Sequence, residues 1–123
     1  MFAMNIRIAI VDDQAQAREL LRQDLLARVP DGASVACFDG GEAFLSGFTP
    51  GDDALVFLDI CMEGTNGIGT AQQLRQKDPH LLIIFVTSSP EYVWDAFPVH
   101  PFDYLLKPYK EEKFEQLAGE LRR

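Results

Sequence analysis

Leu81-Leu82-Ile83-Ile84-Phe85-Val86, closed by Thr87, is the most apolar run of the chain. It does not alternate apolar with polar residues, which marks a strand buried on both faces. Four other stretches read the same way. Ile6 to Val11 ends in Asp12-Asp13, and Ser34 to Phe38 is closed by Asp39-Gly40-Gly41. Ala54 to Leu58 ends at Asp59, and Tyr104-Leu105-Leu106 ends at Lys107-Pro108.

Helical patterns separate these runs. From Gln14 to Val29, Ala17, Leu21, Leu25 and Val29 step by four with Leu20 beside them, while Arg18, Glu19, Arg22 and Gln23 face away. Pro30-Asp31-Gly32 stops that helix. Gly41 to Ser46 is a short second helix, and Asn66 to Lys77 carries Ile68, Ala71 and Leu74 on one stripe. Ser89-Pro90 reads as an N-cap followed by proline at the first helical position, with Pro98 ending the helix. Lys110 to Leu121 sets Phe114, Leu117 and Leu121 on one face. The order βαβαβαβαβα implies an α/β fold, a doubly wound parallel sheet with helices on both sides and right-handed crossovers. With 123 residues and no linker or repeat, residues 1–123 are expected to form a single domain.

Eleven Lys and Arg stand against nineteen Asp and Glu, a net charge of −8. A nucleic-acid grip needs a basic face, so this segment is not expected to hold DNA or RNA. No apolar run is long enough to span a membrane, and the start lacks the charged and apolar regions of a signal peptide. The chain is therefore expected in the cytoplasm, and its two cysteines form no CxxC pair.

The polar residues are informative by position. Asp12, Asp13, Asp59, Thr87 and Lys107 stand at or just past the C-terminal ends of four runs, the edge where open α/β sheets bind ligands. Alone, an Asp ending a strand is most often a turn former or cap, Thr87 reads as a plain strand end and Lys107 as a solvated loop lysine. Together they form a pattern: three carboxylates repel one another unless a cation joins them, and hard oxygen donors suit Mg²⁺. A lysine and a hydroxyl in the same cleft can receive an anion, which describes phosphoryl transfer onto Asp59.

Ile8-Ala9-Ile10-Val11-Asp12-Asp13, Val56-Phe57-Leu58-Asp59 with Gly64 and Gly67 following, Phe85-Val86-Thr87-Ser88 and Tyr104-Leu105-Leu106-Lys107-Pro108 resemble the receiver domain of two-component response regulators. The spacings between these segments match as well, and the resemblance runs from about Ile6 to Leu121. It implies a flavodoxin-like sheet in the order 2-1-3-4-5 with five helices. It further implies Asp59 as phosphoacceptor, with Mg²⁺ on Asp12, Asp13, Asp59 and the Cys61 backbone carbonyl. Thr87 resembles the hydroxyl switch, Tyr104 the aromatic switch and Lys107 the phosphate-contacting lysine, and Lys107-Pro108 resembles the family's cis peptide. The implied partners are a sensor histidine kinase and a second receiver, paired through helix four, strand five and helix five. Glu91-Tyr92, Ala96-Phe97 and Phe102-Asp103 narrow the likeness to the LytR/AlgR (LytTR-type) subfamily, whose DNA contacts belong to a separate C-terminal domain. Glu63 and Asn66 depart from the common pattern, which has Pro and Asp there, and Cys61 and Ser89 occupy rim positions that modulate water access in the family; for Cys61 the plainer reading is a free thiol tolerated because its backbone carbonyl is what matters.

Rival readings lack their residues. An aspartyl-phosphate hydrolase needs a second carboxylate two residues after the nucleophile, where Cys61 stands. A flavodoxin-like cofactor binder needs a Ser/Thr/Gly-rich loop after strand one, where Asp12-Asp13-Gln14 stands. A receiver-like interaction module that is never phosphorylated would usually have an eroded site. The chain is thus not expected to be an enzyme beyond its own phosphotransfer and dephosphorylation.

Overall fold

The computed structural model describes residues 6–29, 33–62 and 66–121, the side chains of Val93 and Leu121 excepted. The helix stop at Pro30-Asp31-Gly32, the loop residues Glu63 and Gly64, and the placement of Leu121 on a helix stripe lie outside what is described. Five strands, β1 (Arg7–Val11), β2 (Ser34–Phe38), β3 (Leu55–Asp59), β4 (Leu82–Thr87) and β5 (Asp103–Leu106), pair in parallel in the order β2-β1-β3-β4-β5. The helices are α1 (Ala15–Leu26), α2 (Gly41–Gly47), α3 (Gly67–Lys77), α4 (Val93–Ala96) and α5 (Glu111–Leu121).

Successive strand residues point to opposite faces, so each continuous apolar run feeds two cores. Ala9, Val11, Val56, Leu58, Ile83 and Phe85 meet Phe44 of α2, Ala71 and Leu74 of α3 and Ala96 of α4. Ile8, Ile10, Leu55, Phe57, Ile84 and Val86 meet Leu21 and Leu25 of α1 and Phe114 and Leu117 of α5. Burying one such side chain is worth about 1.5–3 kcal/mol, so the sheet is held from both sides. At its opposite end Arg7 forms a two-point ion pair with the buried Asp53, at 2.6 and 3.1 Å.

Three sequence expectations change. Leu20 is 56% exposed rather than part of the α1 stripe. It lies in an apolar groove of ≈ 370 Å³ with Ala17, Pro108 and Tyr109. Helix α1 stops at Leu26, because the Arg28 amide reaches Leu25 O and tightens the chain into a turn before Val29.

The helix after β4 differs most. Pro90–Tyr92 and Phe97–Val99 are 3₁₀ turns around a single α turn, whose N-cap position is Tyr92 rather than Ser89. Pro98 does not end the helix but sits inside the second 3₁₀ turn, where its missing N–H is tolerated. His100 closes the segment in the left-handed region with φ 54°, donating its amide to Phe97 O at 3.0 Å.

Candidate functional site

Because β1 leads outward to β2 and the chain then returns to β3 on its other side, strand order reverses between β1 and β3. The C-terminal ends of these two strands open the crevice in which such sheets bind ligands. The strands run one residue further than their apolar patterns, so Asp59 and Thr87 are themselves the last residues of β3 and β4. Asp12 follows β1, and its amide continues the ladder to Phe38 O at 3.1 Å.

The carboxylates of Asp12, Asp13 and Asp59 lie within 4.8 Å of one another, the first and last buried and the second exposed. Lys107 Nζ reaches between them, 2.6 Å from Asp12 Oδ2 and 3.5 Å from Asp59 Oδ2. Burial pushes the Asp59 carboxyl up, the Asp12 charge adds to that, and Lys107 only partly offsets them, leaving its pKa at about 6. Burial pulls the Lys107 ammonium down, but the two carboxylates outweigh it and hold it above its ordinary value. Clustered, partly buried oxygen donors with one carboxyl pushed toward its neutral form are what a hard divalent cation relieves. The set suits Mg²⁺.

The backbone fixes these groups. Gln14 N donates to Asp12 Oδ1 at 2.9 Å and Cys61 N to Asp59 Oδ1 at 3.3 Å. Lys107 N donates to Thr87 O at 2.8 Å, and the Lys107-Pro108 bond is cis, as the family likeness implies. Thr87 is fully buried, but its hydroxyl engages Ser89 N at 3.2 Å and Cys61 Sγ at 3.7 Å rather than the Asp59–Lys107 pair. Tyr104 is half-buried beside Phe85, and its hydroxyl donates to Ser89 O at 3.2 Å.

Three supports escaped sequence reasoning in part or whole. Arg18 does not merely face away, since Nη1 donates to the Asp12 carbonyl at 2.7 Å. Gly67 is where α3 meets the site: a Cβ there would sit 2.1 Å from the Asp59 carbonyl oxygen. Asn66 accepts the Gly69 amide at 2.8 Å and caps α3, a signal that was readable in its residue type. An open groove of ≈ 700 Å³ runs from Asp13 and Cys61 past Asn66 to Tyr92 and Asp95 of the region around α4.

A doubly wound sheet with acidic residues, a lysine and a hydroxyl at its switch point is the architecture of a signalling receiver. The response regulator receiver domain family matches residues 8–118, and the chain belongs to it. Among relatives, the sensory transduction protein LytT of Oceanobacillus iheyensis is 35% identical over 122 residues, covering 98% of this chain and 49% of its own length. The transcriptional regulatory protein BtsR of Salmonella typhi is 36% identical over 119 residues, covering 95% and 48%. The LytT likeness bears out the LytTR-type reading. The chain spans about half the length of these relatives. The structure is similar to that of response regulator TrrA from Thermotoga maritima in complex with Mg²⁺–BeF, with a TM-score of 0.81, 30% identity and coverage of 94% and 98%. It is likewise similar to the response regulatory domain of mrkE from Klebsiella pneumoniae, with a TM-score of 0.82, 27% identity and 95% coverage of each chain. The relatives are signalling proteins, and neither a hydrolase nor a flavodoxin-like cofactor binder is supported. Among the described residues, no helix is long and apolar enough to cross a membrane.

Proposed function

We propose that residues 1–123 act as one receiver unit that takes a phosphoryl group on Asp59 from a sensor histidine kinase. The observation that carries this is the placement of Asp59, whose carboxylate clusters with Asp12 and Asp13 and lies 3.5 Å from the Lys107 ammonium. In the transfer a P–O bond forms to an Asp59 oxygen as the P–N bond of a phosphohistidine breaks. Asp12, Asp13, Asp59 and the Cys61 carbonyl would hold Mg²⁺, which supplies neutralisation of the transferring charge. Lys107, held at 2.6 Å by Asp12 and 3.5 Å from Asp59, pairs with the anion once it arrives. Thr87 supplies a hydroxyl donor, and its inward turn leaves space that Tyr104 fills. The added charge of about −1.5 to −2 is what Lys107 and Thr87 detect. The response then biases a surface made of α4, β5 and α5 toward pairing with a second copy. Catalysis is limited to the domain's own phosphotransfer and dephosphorylation.

Lengths near twice that of this chain in LytT and BtsR support an output domain following this segment in the full protein. We place DNA contact and transcriptional control there, with the receiver working in the cytoplasm. Incubation with acetyl phosphate and a divalent cation should give one base-labile adduct, located at Asp59 by mass spectrometry. A label of equal yield in Asp59→Ala would refute the assignment.

A further inference from the structure

The Thr87 hydroxyl is held by a ring of contacts that joins three segments of the chain. Its oxygen accepts the Ser89 amide at 3.2 Å and its proton is directed to Cys61 Sγ at 3.7 Å. The Cys61 thiol donates onward to Ser89 Oγ at 3.9 Å, and Tyr104 Oη donates to the Ser89 carbonyl at 3.2 Å. The ring thus connects the end of β3, the end of β4 and the middle of β5. Thr87 has one hydroxyl proton to give, and a sulfur two residues beyond Asp59 receives it. A thiol is a weak, polarisable acceptor, so this hold is one that a phosphate oxygen outcompetes.

We propose that Cys61 is a positioning residue of the switch: its sulfur holds the Thr87 hydroxyl away from Asp59, and activation must break that contact. The proposal rests on the reading of Asp59 as phosphoacceptor and Thr87 as the responding hydroxyl. It assigns the Cys61 side chain a role separate from its carbonyl, which every substitution at this position keeps. Because Tyr104 hangs on the same Ser89, release of Thr87 loosens the aromatic side chain's anchor as well.

The test is a double-mutant cycle on beryllofluoride binding with Mg²⁺, followed by the backbone amide signals of Asp59 and Lys107. Cys61→Ala removes the acceptor, and Cys61→Val removes it while keeping apolar volume. One neutral hydrogen bond corresponds to a factor of about 2–10, so both variants should lower the midpoint by that factor. In a Thr87→Val background, where there is no proton to hold, the same substitutions should leave the midpoint unchanged. Equal shifts in both backgrounds would mean the sulfur acts through packing or access to the site, and the proposal fails. No shift, or a weaker response, in the Thr87 background also overturns it. The two readings separate at the wild type: if it responds no differently from Asp59→Asn, the phosphoacceptor reading falls and this one with it. A wild type that responds through Asp59 while Cys61→Ala and Cys61→Val match it sinks the positioning role alone.

Discussion

The surroundings of Asp59 make its charge costly. Its carboxyl is raised from 3.8 to about 6 by burial first and by Asp12 second. The folded state therefore binds this proton more tightly than the unfolded chain. Stability from this group is full below about pH 4, falls as pH rises toward 6, and is gone above that. The difference corresponds to at most about 3 kcal/mol, which solvent at the open mouth of the site screens to about 1–2 kcal/mol. Asp59→Asn should accordingly be more stable than wild type at pH 7 in EDTA and show a flatter pH dependence between 4 and 6. Urea denaturation across that range checks it, and equal stability at pH 7 would contradict the electrostatic account. Asp13 is the exposed member of the cluster. Asp13→Asn removes one donor charge and should weaken Mg²⁺ binding by about 10- to 150-fold, one charge-assisted contact being worth about 1.5–3 kcal/mol. Calorimetric titration measures this, and unchanged affinity would remove Asp13 from the metal set.

Elements are placed by close approaches as much as by apolar stripes. The first turn of α3 lies against the backbone after Asp59, and Gly67 N donates to Ile60 O at 2.9 Å. A Cβ at Gly67 would meet the Asp59 carbonyl oxygen at 2.1 Å and Ile60 Cα at 2.8 Å, both backbone atoms that cannot swing aside. Gly67→Ala should cost about 1–3 kcal/mol as an overpacked site and disturb phosphorylation. Gly119 in α5 is the contrast: among the described residues, nothing beyond its own helix backbone lies within 4 Å of its Cβ position. Gly119→Ala should stabilise by about 0.5–1 kcal/mol, since it lowers the entropy of the unfolded chain inside a helix. Denaturation midpoints of opposite sign are the expected result; a neutral Gly67→Ala would show that the loop can yield.

Across the whole molecule, the proposed function links the Asp59 site to a pairing surface through Tyr104. Tyr104 sits on the edge strand β5 with its hydroxyl on the Ser89 carbonyl, and in the segment between β4 and β5 Trp94 is 81% and Phe97 66% exposed. Truncating Tyr104 to Ala should leave Asp59 phosphorylation nearly intact while weakening activation-dependent dimerisation. Coupling energies of this kind are about 1–3 kcal/mol, a shift of about 5–150-fold in the dimer constant. Sedimentation with and without beryllofluoride, beside a thermal melt, reads the effect. A variant that folds normally and dimerises on activation like wild type would reduce Tyr104 to packing.

Runs such as Leu82–Val86 and helix stripes such as Ala71 and Leu74 were readable because buried strands and amphipathic helices repeat locally. The positions of Asp12, Asp59, Thr87 and Lys107 followed from them, since each ends a run. Sequence alone did not separate Leu20 from the core stripe, because that depends on what covers the helix. It also misjudged the turn after β4, where a proline that usually ends a helix sits inside a 3₁₀ turn. The link from Thr87 through Cys61 and Ser89 to Tyr104 was beyond its reach entirely. Residues far apart in the chain meet there only because β3, β4 and β5 pair in register, and hydrogen-bond partners across strands carry no local periodicity. Local patterning determined the elements and the residues at their ends; the packing of the sheet decided which of those residues touch.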